Sequence, residues 1–306
     1  MNFKNRHILS IKDFSRTELL FILKTATQFK KKRYSQLLRD KILASLFFEP
    51  STRTKFSFDS AMEKLGGRVI GFANSESTSA KKGETLADSI RVMEKYVDIF
   101  VIRHPLEGAV RWASENVEKP VINGGDGANQ HPTQTMLDLF SIRETQGRLD
   151  KLKIALAGDL KYGRTIHSLV QALIFFKPRL YFISPETLKL PNYLKEELKA
   201  SKINFSEHKD FGEVIRKINI LYMTRIQKER FPDLLDYEKV KNLYILNVED
   251  LKKARSNFKI LHPLPRVNEI EKAVDKTKHA YYFQQAENGL FVRQALLTLL
   301  LGKKIS

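Results

Sequence analysis

Apolar runs of strand length alternate with helix-period segments along nearly the whole chain. Ser15-Arg16-Thr17-Glu18 is a capping box, and it opens a helix carrying Leu19, Leu20, Leu23 and Phe29. Ile42–Phe48 is apolar enough to be a strand buried on both faces. From Ser51 to Leu65 the residues Phe58, Met62 and Leu65 fall on one helical face, and Gly66-Gly67 stops the helix. Val69–Phe72, Ile99–Ile102 and Val121–Ile122 follow as strands, separated by helical patterns at Glu84–Tyr96 and Glu107–Glu115. A β-α-β-α series of this kind predicts a parallel sheet with helices on both faces.

A helix over Pro132–Gln146, closed by Gly147, leads into a second series. Its predicted strands are Ile154–Ala157, Leu180–Ile183, Ile203–Phe205, Ile220–Met223, Tyr244–Leu246 and Ile260–Leu261. Helices near Gly163–Phe176, Tyr193–Ala200 and Val248–Ala254 separate several of them. The last helix, Gln284–Leu301, is long and apolar, and is expected to return and pack on the first domain. The fold class is therefore α/β: two doubly wound parallel-sheet domains with an interdomain cleft, linked by two helices. Clefts outside the carboxyl ends of parallel strands are where small ligands bind.

Composition narrows the chemistry. A chain of 306 residues with 42% hydrophobic and 29% charged residues has ample core, and disorder and low complexity are excluded. Its cysteine count is 0, which removes disulfides, thiol nucleophiles and Cys-ligated zinc. No apolar stretch is long enough for a membrane span, and no signal-peptide core follows Met1-Asn2-Phe3-Lys4-Asn5-Arg6, so a cytoplasmic protein with no membrane partner is expected. The net charge of +18 raises nucleic-acid binding. The densest cluster, Lys30-Lys31-Lys32-Arg33, ends a helix and complements its dipole, and no recognition-module signature accompanies it. Solvated lysine-rich surfaces plus a site for anions are the better account, with no specific nucleic-acid partner.

Phe47-Phe48-Glu49-Pro50-Ser51-Thr52-Arg53-Thr54-Lys55 is the most informative stretch: a buried strand ends and a helix begins among hydroxyls flanking an arginine. Unpartnered amides at the helix start, three hydroxyls and a guanidinium make a pocket for a tetrahedral dianion such as phosphate. Gly158-Asp159-Leu160-Lys161-Tyr162-Gly163-Arg164-Thr165 nearly spells a P-loop, but Arg164 stands where the lysine belongs and no apolar strand ends in a separate Mg²⁺-binding Asp. An NTPase is rejected, and a carboxylate-binding role for Arg164 stays open. His131-Pro132-Thr133-Gln134 starts a helix with Pro at its first position, where His131 is equally a capping or core residue or a substrate ligand. The 7 histidines form no metal-ligand pattern. Leu264–Pro265, in His262-Pro263-Leu264-Pro265-Arg266, is a candidate cis bond lining the cleft. Ser77–Gly83 is a polar loop whose bland reading is a solvated linker.

With those segments in order, the chain resembles the catalytic chains of the aspartate carbamoyltransferase family over essentially its whole length. The resemblance is carried by Ser51–Thr54, Lys81–Thr85, Arg103-His104-Pro105, Gly124–Gln134, Gly158–Thr165, Tyr222–Arg230 and His262–Arg266. It implies a carbamoyl-phosphate-binding domain of residues 1–131 plus 286–306 and an aspartate-binding domain of residues 132–285. It implies that Ser51, Thr52, Arg53 and Thr54 hold the phosphate, and that Arg103, His131 and Gln134 hold the carbamoyl end with backbone groups of Leu264 and Pro265. Arg164, Arg225 and Gln227 would bind aspartate. Lys82, with Ser79 nearby, would arrive from the neighbouring subunit of a homotrimer with shared active sites. Arg53, Thr54, Lys82, Arg103 and His131 would be catalytic. No cofactor and no metal are implied, and a regulatory chain is a possible partner. The family commonly has Arg where this chain has Lys55, which implies an effect on packing or surface pairing and little on chemistry. Ornithine carbamoyltransferases share the phosphate motif but read His-Cys-Leu-Pro at the second-substrate segment, whereas this chain has His262-Pro263-Leu264-Pro265 and no cysteine.

Overall fold

Ser15 accepts the Glu18 amide at 3.3 Å while the Glu18 carboxylate accepts the Ser15 amide at 2.8 Å. That reciprocal cap starts α1 (Arg16–Lys31), which buries Leu19, Ile22, Leu23, Ala26 and Phe29. The computed structural model describes residues 1–74, 82–212, 214–228, 231 and 233–305. The chain divides into two compact units, residues 1–137 with 287–306, and residues 138–286.

In the first unit α1 is followed by β1 (Ile42–Phe47), α2 (Thr52–Lys64), β2 (Arg68–Phe72), α3 (Leu86–Met93), β3 (Ile99–His104), α4 (Ala109–Ser114) and β4 (Val121–Asp126). The strands pair in the order β2-β1-β3-β4, every pair parallel. Central β1 and β3 are buried and apolar, whereas edge strand β2 is mostly exposed. Beyond β4 the N-terminal segment adds one parallel bridge, Ile8 to Ile122, so that edge is covered. Thr85 caps α3 by accepting the Asp88 amide at 3.2 Å.

Helix α5 (Pro132–Gln146) contains the boundary between the units. The second unit continues with β5 (Lys153–Ala157), α6 (Arg164–Leu173), β6 (Arg179–Ile183), α7 (Asn192–Ala200), β7 (Phe205–His208), β8 (Ile220–Met223), α8 (Leu234–Val240), α9 (Val248–Leu251) and β9 (Lys259–Leu261). Its sheet runs β7-β6-β5-β8-β9, again parallel throughout. Helix α10 (Tyr282–Leu300) crosses back. Its later turns belong to the first unit, where Asn288 accepts from the Lys30 ammonium at 3.0 Å and the Arg293 guanidinium lies 4.8 Å from the Phe58 ring centre. No helix of the described residues is long and apolar enough to cross a membrane.

Two predicted elements differ. Tyr244–Leu246 is not a strand: Leu246 makes a single bridge to Ile270, and Asn247 at once caps α9 by accepting the Asp250 amide at 3.0 Å. The extended run is too short to pair further. The strand expected at Ile203–Phe205 begins only at Phe205, because the Ile203 amide is used at 2.9 Å on Leu198, closing α7.

Phe258 is wholly buried in the second unit's apolar cluster, among Leu221, Ile260 and Tyr282. Phe258→Ala should cost about 3–5 kcal/mol, the range for a truncated core aromatic. Hydrogen exchange would register it as lost protection across β5, β8 and β9, and unchanged protection there would contradict this packing.

Candidate active site

In each sheet the chain reverses direction once. Strand β1 has β2 on one side and β3 on the other, and β5 has β6 on one side and β8 on the other. At such a switch point the loops leaving the two strands part to opposite faces and open a crevice at the carboxyl edge. Part of the sequence-predicted set, Ser51–Thr54 with Arg103 and Arg164 with Arg225 and Gln227, stands at these two places.

In the first unit, β1 runs into α2. Ser51 is the N-cap residue in an extended conformation (φ −160°, ψ 101°), and its hydroxyl makes no capping bond to the helix. Thr52, Arg53 and Thr54 form the first turn, whose amides have no partners within the helix, with Thr52 and Arg53 exposed and Thr54 buried. Lys55 turns inward, donating to Ser45 at 3.1 Å and to Asp59 at 2.9 Å, so it braces the helix against β1. One strand over, Arg103 stands in register with Phe47. Its guanidinium pairs with Glu49 at 3.1 Å and donates to the Gly124 carbonyl at 3.2 Å, which fixes it across the ends of β1, β3 and β4. His131 and Gln134, both buried, stand at the start of α5, and the His131 carbonyl accepts the Gln134 amide at 3.0 Å. Lys82 is exposed, on the turn before α3, and Ser79 lies outside the described residues.

In the second unit, Gly158 follows β5 with φ +107°, and a Cβ there would come within 2.1 Å of the Thr224 carbonyl oxygen. Only glycine permits this approach, which seats the β5–α6 loop against the residues after β8. Arg164 is the first residue of α6, and Arg225 and Gln227 follow β8, all partly buried. Leu264–Pro265 is a cis peptide bond just beyond β9, with Leu264 at φ +57°. Arg266 is bound by the Asp275 carboxylate and by the Tyr282 hydroxyl. Among the described residues no three of His, Cys, Asp and Glu cluster as a metal ion would need.

Two family models tile the chain. One described as "Aspartate/ornithine carbamoyltransferase, carbamoyl-P binding domain" matches residues 6–144, and one described as "Aspartate/ornithine carbamoyltransferase, Asp/Orn binding domain" matches residues 150–300. The chain belongs to the aspartate/ornithine carbamoyltransferase family. Within it, an aspartate carbamoyltransferase catalytic subunit of Chromobacterium violaceum is 57% identical over 300 residues, 98% of this chain and 99% of its own length. The catalytic subunit of aspartate transcarbamoylase from M. jannaschii superposes with a TM-score of 0.90 at 50% identity, covering 96% of this chain and 97% of that one. An aspartate transcarbamoylase from Trypanosoma cruzi, solved with carbamoyl phosphate and aspartate, gives a TM-score of 0.91 at 35% identity, covering 98% of this chain and 96% of its own.

Sequence reasoning about this carbamoyltransferase-family chain singled out cations and hydroxyls and missed the acids that hold them. Glu49 is one, as the partner of Arg103. Asp126 is another: buried, it accepts from the Asn123 side chain at 2.8 Å, the Gly108 amide at 3.0 Å, the Asn129 side chain at 3.0 Å and the Gln130 amide at 3.1 Å, shaping the loop before His131. Asp159 is a third. It accepts the Tyr162 amide at 2.9 Å, and burial pushes its carboxyl up to about 6, against the opposing pull of the Tyr162, Gln227 and Lys161 amides and of Arg225. The only signal for these acids was their place inside segments already marked.

Asp159 also sets a pH dependence. Its folded carboxyl titrates higher than an unfolded one, so the folded state holds the extra proton between about pH 4 and pH 6. The stability it contributes is full below that window and is lost as pH rises through it. Asp159→Asn, which cannot ionise, should therefore gain on the parent chain between pH 4 and pH 7 when denaturant midpoints are compared. A gap that stays constant would mean Asp159 titrates normally.

Proposed function

We infer that this chain transfers the carbamoyl group of carbamoyl phosphate to the amine of L-aspartate, giving N-carbamoyl-L-aspartate and phosphate, an early step of pyrimidine biosynthesis. The observation that carries this reading is the gathering of anion-binding groups at both switch points. Ser51–Thr54 with Arg103 stand at the ends of β1 and β3, and Arg164 with Arg225 and Gln227 stand after β5 and β8. The relatives' names and the T. cruzi structure holding carbamoyl phosphate and aspartate support the substrate assignment.

Ser51, Thr52, Arg53 and Thr54 bind the phosphate, with the α2 amides adding oriented donors. Arg103, His131 and Gln134 hold the carbamoyl end, with Leu264 and Pro265 contributing backbone groups. Arg164, Arg225 and Gln227, joined by Lys82, hold the two carboxylates of aspartate. The neutral aspartate amine attacks the carbamoyl carbon, a tetrahedral intermediate forms, and the C–O bond to phosphate breaks. The departing phosphate takes the amine proton, so no covalent enzyme intermediate is required. Negative charge grows on the carbonyl and bridging oxygens, where Arg53, Thr54, Arg103 and His131 present donors. One such preorganised donor is worth roughly 2.7–4 kcal/mol in the transition state. Aspartate is favoured over ornithine because the second-substrate residues are cations and amides suited to carboxylates, and because His262-Pro263-Leu264-Pro265 lacks the cysteine of the ornithine motif.

The assembly is a homotrimer in which Lys82, with Ser79 near it, serves the site of the next subunit, and a regulatory chain is a further partner. Support comes from Phe56 on α2, 64% exposed, and Ile70 on β2, 46% exposed, which are apolar surfaces of the kind a subunit contact covers. The word subunit in the relatives' names agrees with it. A cytoplasmic protein suits a biosynthetic reaction on small anions.

Carbamoyl aspartate formation by the purified chain tests the activity directly. Arg53→Ala should lower kcat by at least ~10²-fold, the scale for one lost transition-state donor. Arg53→Lys should also fail, since an ammonium cannot reproduce a two-pronged guanidinium. A raised KM with normal kcat would instead make Arg53 a simple binding group.

The shared site is tested by mixing. Lys82→Ala and Arg53→Ala assemblies should each be nearly inactive, and exchanging their subunits should restore activity, because some sites then lack neither group. Exchange of differently tagged chains without recovery would return Lys82 to a solvated turn.

A further inference from the structure

The segment after β9 contains a buried hydrogen-bond relay to which the reaction described above assigns no role. His262 and Glu269 are 2% and 5% exposed. The His262 Nδ1 atom lies 2.8 Å from the Leu264 amide nitrogen, and its Nε2 atom lies 2.7 Å from Glu269 Oε1. The other carboxylate oxygen accepts the Val267 amide at 3.0 Å and the Asn268 amide at 3.1 Å. Behind the ring, the His262 amide donates to Gln285 at 2.7 Å, Gln285 donates to Asp138 at 2.6 Å, and Asp138 accepts the Tyr222 hydroxyl at 2.8 Å.

The roles in this relay follow from which groups can only donate. A backbone amide cannot accept, so Nδ1 must be the acceptor for Leu264 and the ring proton must sit on Nε2. Glu269 then receives three donors, Nε2–H and two amides, and only a carboxylate can accept all three. The chain of consequence runs from Glu269 to the ring tautomer to the Leu264 amide. That amide bond holds Leu264 at φ +57°, a conformation a branched L-residue rarely adopts.

Once the Leu264 amide is consumed by Nδ1, and because Pro265 has no N–H, these two residues can offer a ligand acceptors only. Acceptors suit the NH2 of a carbamoyl group and give nothing to a methyl in its place. Resting on the proposed role of Leu264 and Pro265, we propose that His262 and Glu269 are a positioning pair. They fix the imidazole in its Nε2–H form and thereby aim the Leu264 and Pro265 carbonyls at the carbamoyl NH2.

The test compares three variants for kcat/KM with carbamoyl phosphate, for affinity toward acetyl phosphate, which carries a methyl in place of the NH2, and for affinity toward inorganic phosphate. Glu269→Gln brings an NH2 among three donors, and the only relief is the tautomer that repels the Leu264 amide. Its kcat/KM for carbamoyl phosphate should fall roughly tenfold to a hundredfold, the range for a buried donor left unmatched. Affinity for acetyl phosphate and inorganic phosphate should stay within about threefold, because the phosphate groups belong to the first unit. His262→Asn places an oxygen where Nδ1 was and keeps the Leu264 bond. His262→Gln reaches Glu269 and leaves the Leu264 amide unmatched. Both lose the imidazole, so a general loss of stability falls on both, yet the Asn variant should retain at least about fivefold more kcat/KM. Equal activity of the two His262 variants, or an unchanged preference for carbamoyl over acetyl phosphate in Glu269→Gln, overturns the pair. A parent chain that forms no carbamoyl aspartate overturns the functional reading beneath it instead.

Discussion

Parallel strands all finish at the same edge, and each of the two sheets reverses its order once, between β1 and β3 and between β5 and β8. The rest of the architecture depends on this constraint. The central strands are buried, so polar chemistry has no place along them and starts where they stop. Loops parting from a reversal leave a concave edge already supplied with helix-start amides. The Ser51–Thr54 run and the Gly158–Arg164 loop occupy those positions because the topology makes them the places where a small anion can reach backbone donors.

Gathering cations at one edge has a cost: they repel, and long side chains held in one pose lose rotamer freedom. Each unit answers with acids that do different jobs, most of them buried. Glu49 pairs directly with Arg103 and keeps it across three strand ends. Asp126, Asp159 and Glu269 accept backbone amides and so shape the loops that carry the basic and amide side chains. The acids leave the cations charged, and they convert flexible positive groups into placed ones. The large net positive charge is a separate matter. It comes from an excess of basic over acidic residues, with exposed lysines such as Lys31 and Lys253 among its carriers.

The parts of the fold with local causes were legible in the sequence. Apolar runs announced β1, β3, β5, β6 and β8, and the Ser15 cap and the turn at Gly147 marked helix ends. Tyr244–Leu246 shows where that reasoning stops. Tyr244 and Leu246 are buried and Ile245 is 36% exposed, the alternation of a strand, but pairing depends on what lies alongside, and among the described residues the run makes a single bridge, Leu246 to Ile270. The site divides the same way. Hydroxyls and arginines at strand–helix junctions can be read from sequence because the junction itself makes the donor array. Glu49 acts on Arg103, far along the chain, and one-dimensional spacing carries no trace of such a pair, while Asp126 acts mostly on residues three or four away but shows its role only once its burial is known. Glu269 escaped for another reason: its partner His262 is near in sequence, but a lone Glu after a Pro-rich turn looks like solvated surface until its burial is known.

The division of the chain has a consequence for how the molecule is made. The second unit is one continuous stretch, residues 138–286, whereas the first is assembled from residues 1–137 and 287–306. On a ribosome, which releases the chain from its N-terminal end, the sheet β2-β1-β3-β4 emerges early and must wait for the later turns of α10. Until then Phe58 lacks Arg293 over its ring, and Lys30 lacks Asn288. The later-made unit holds all of its own residues before the earlier one does, so the helix that completes the first unit arrives only after the whole second unit has been synthesised.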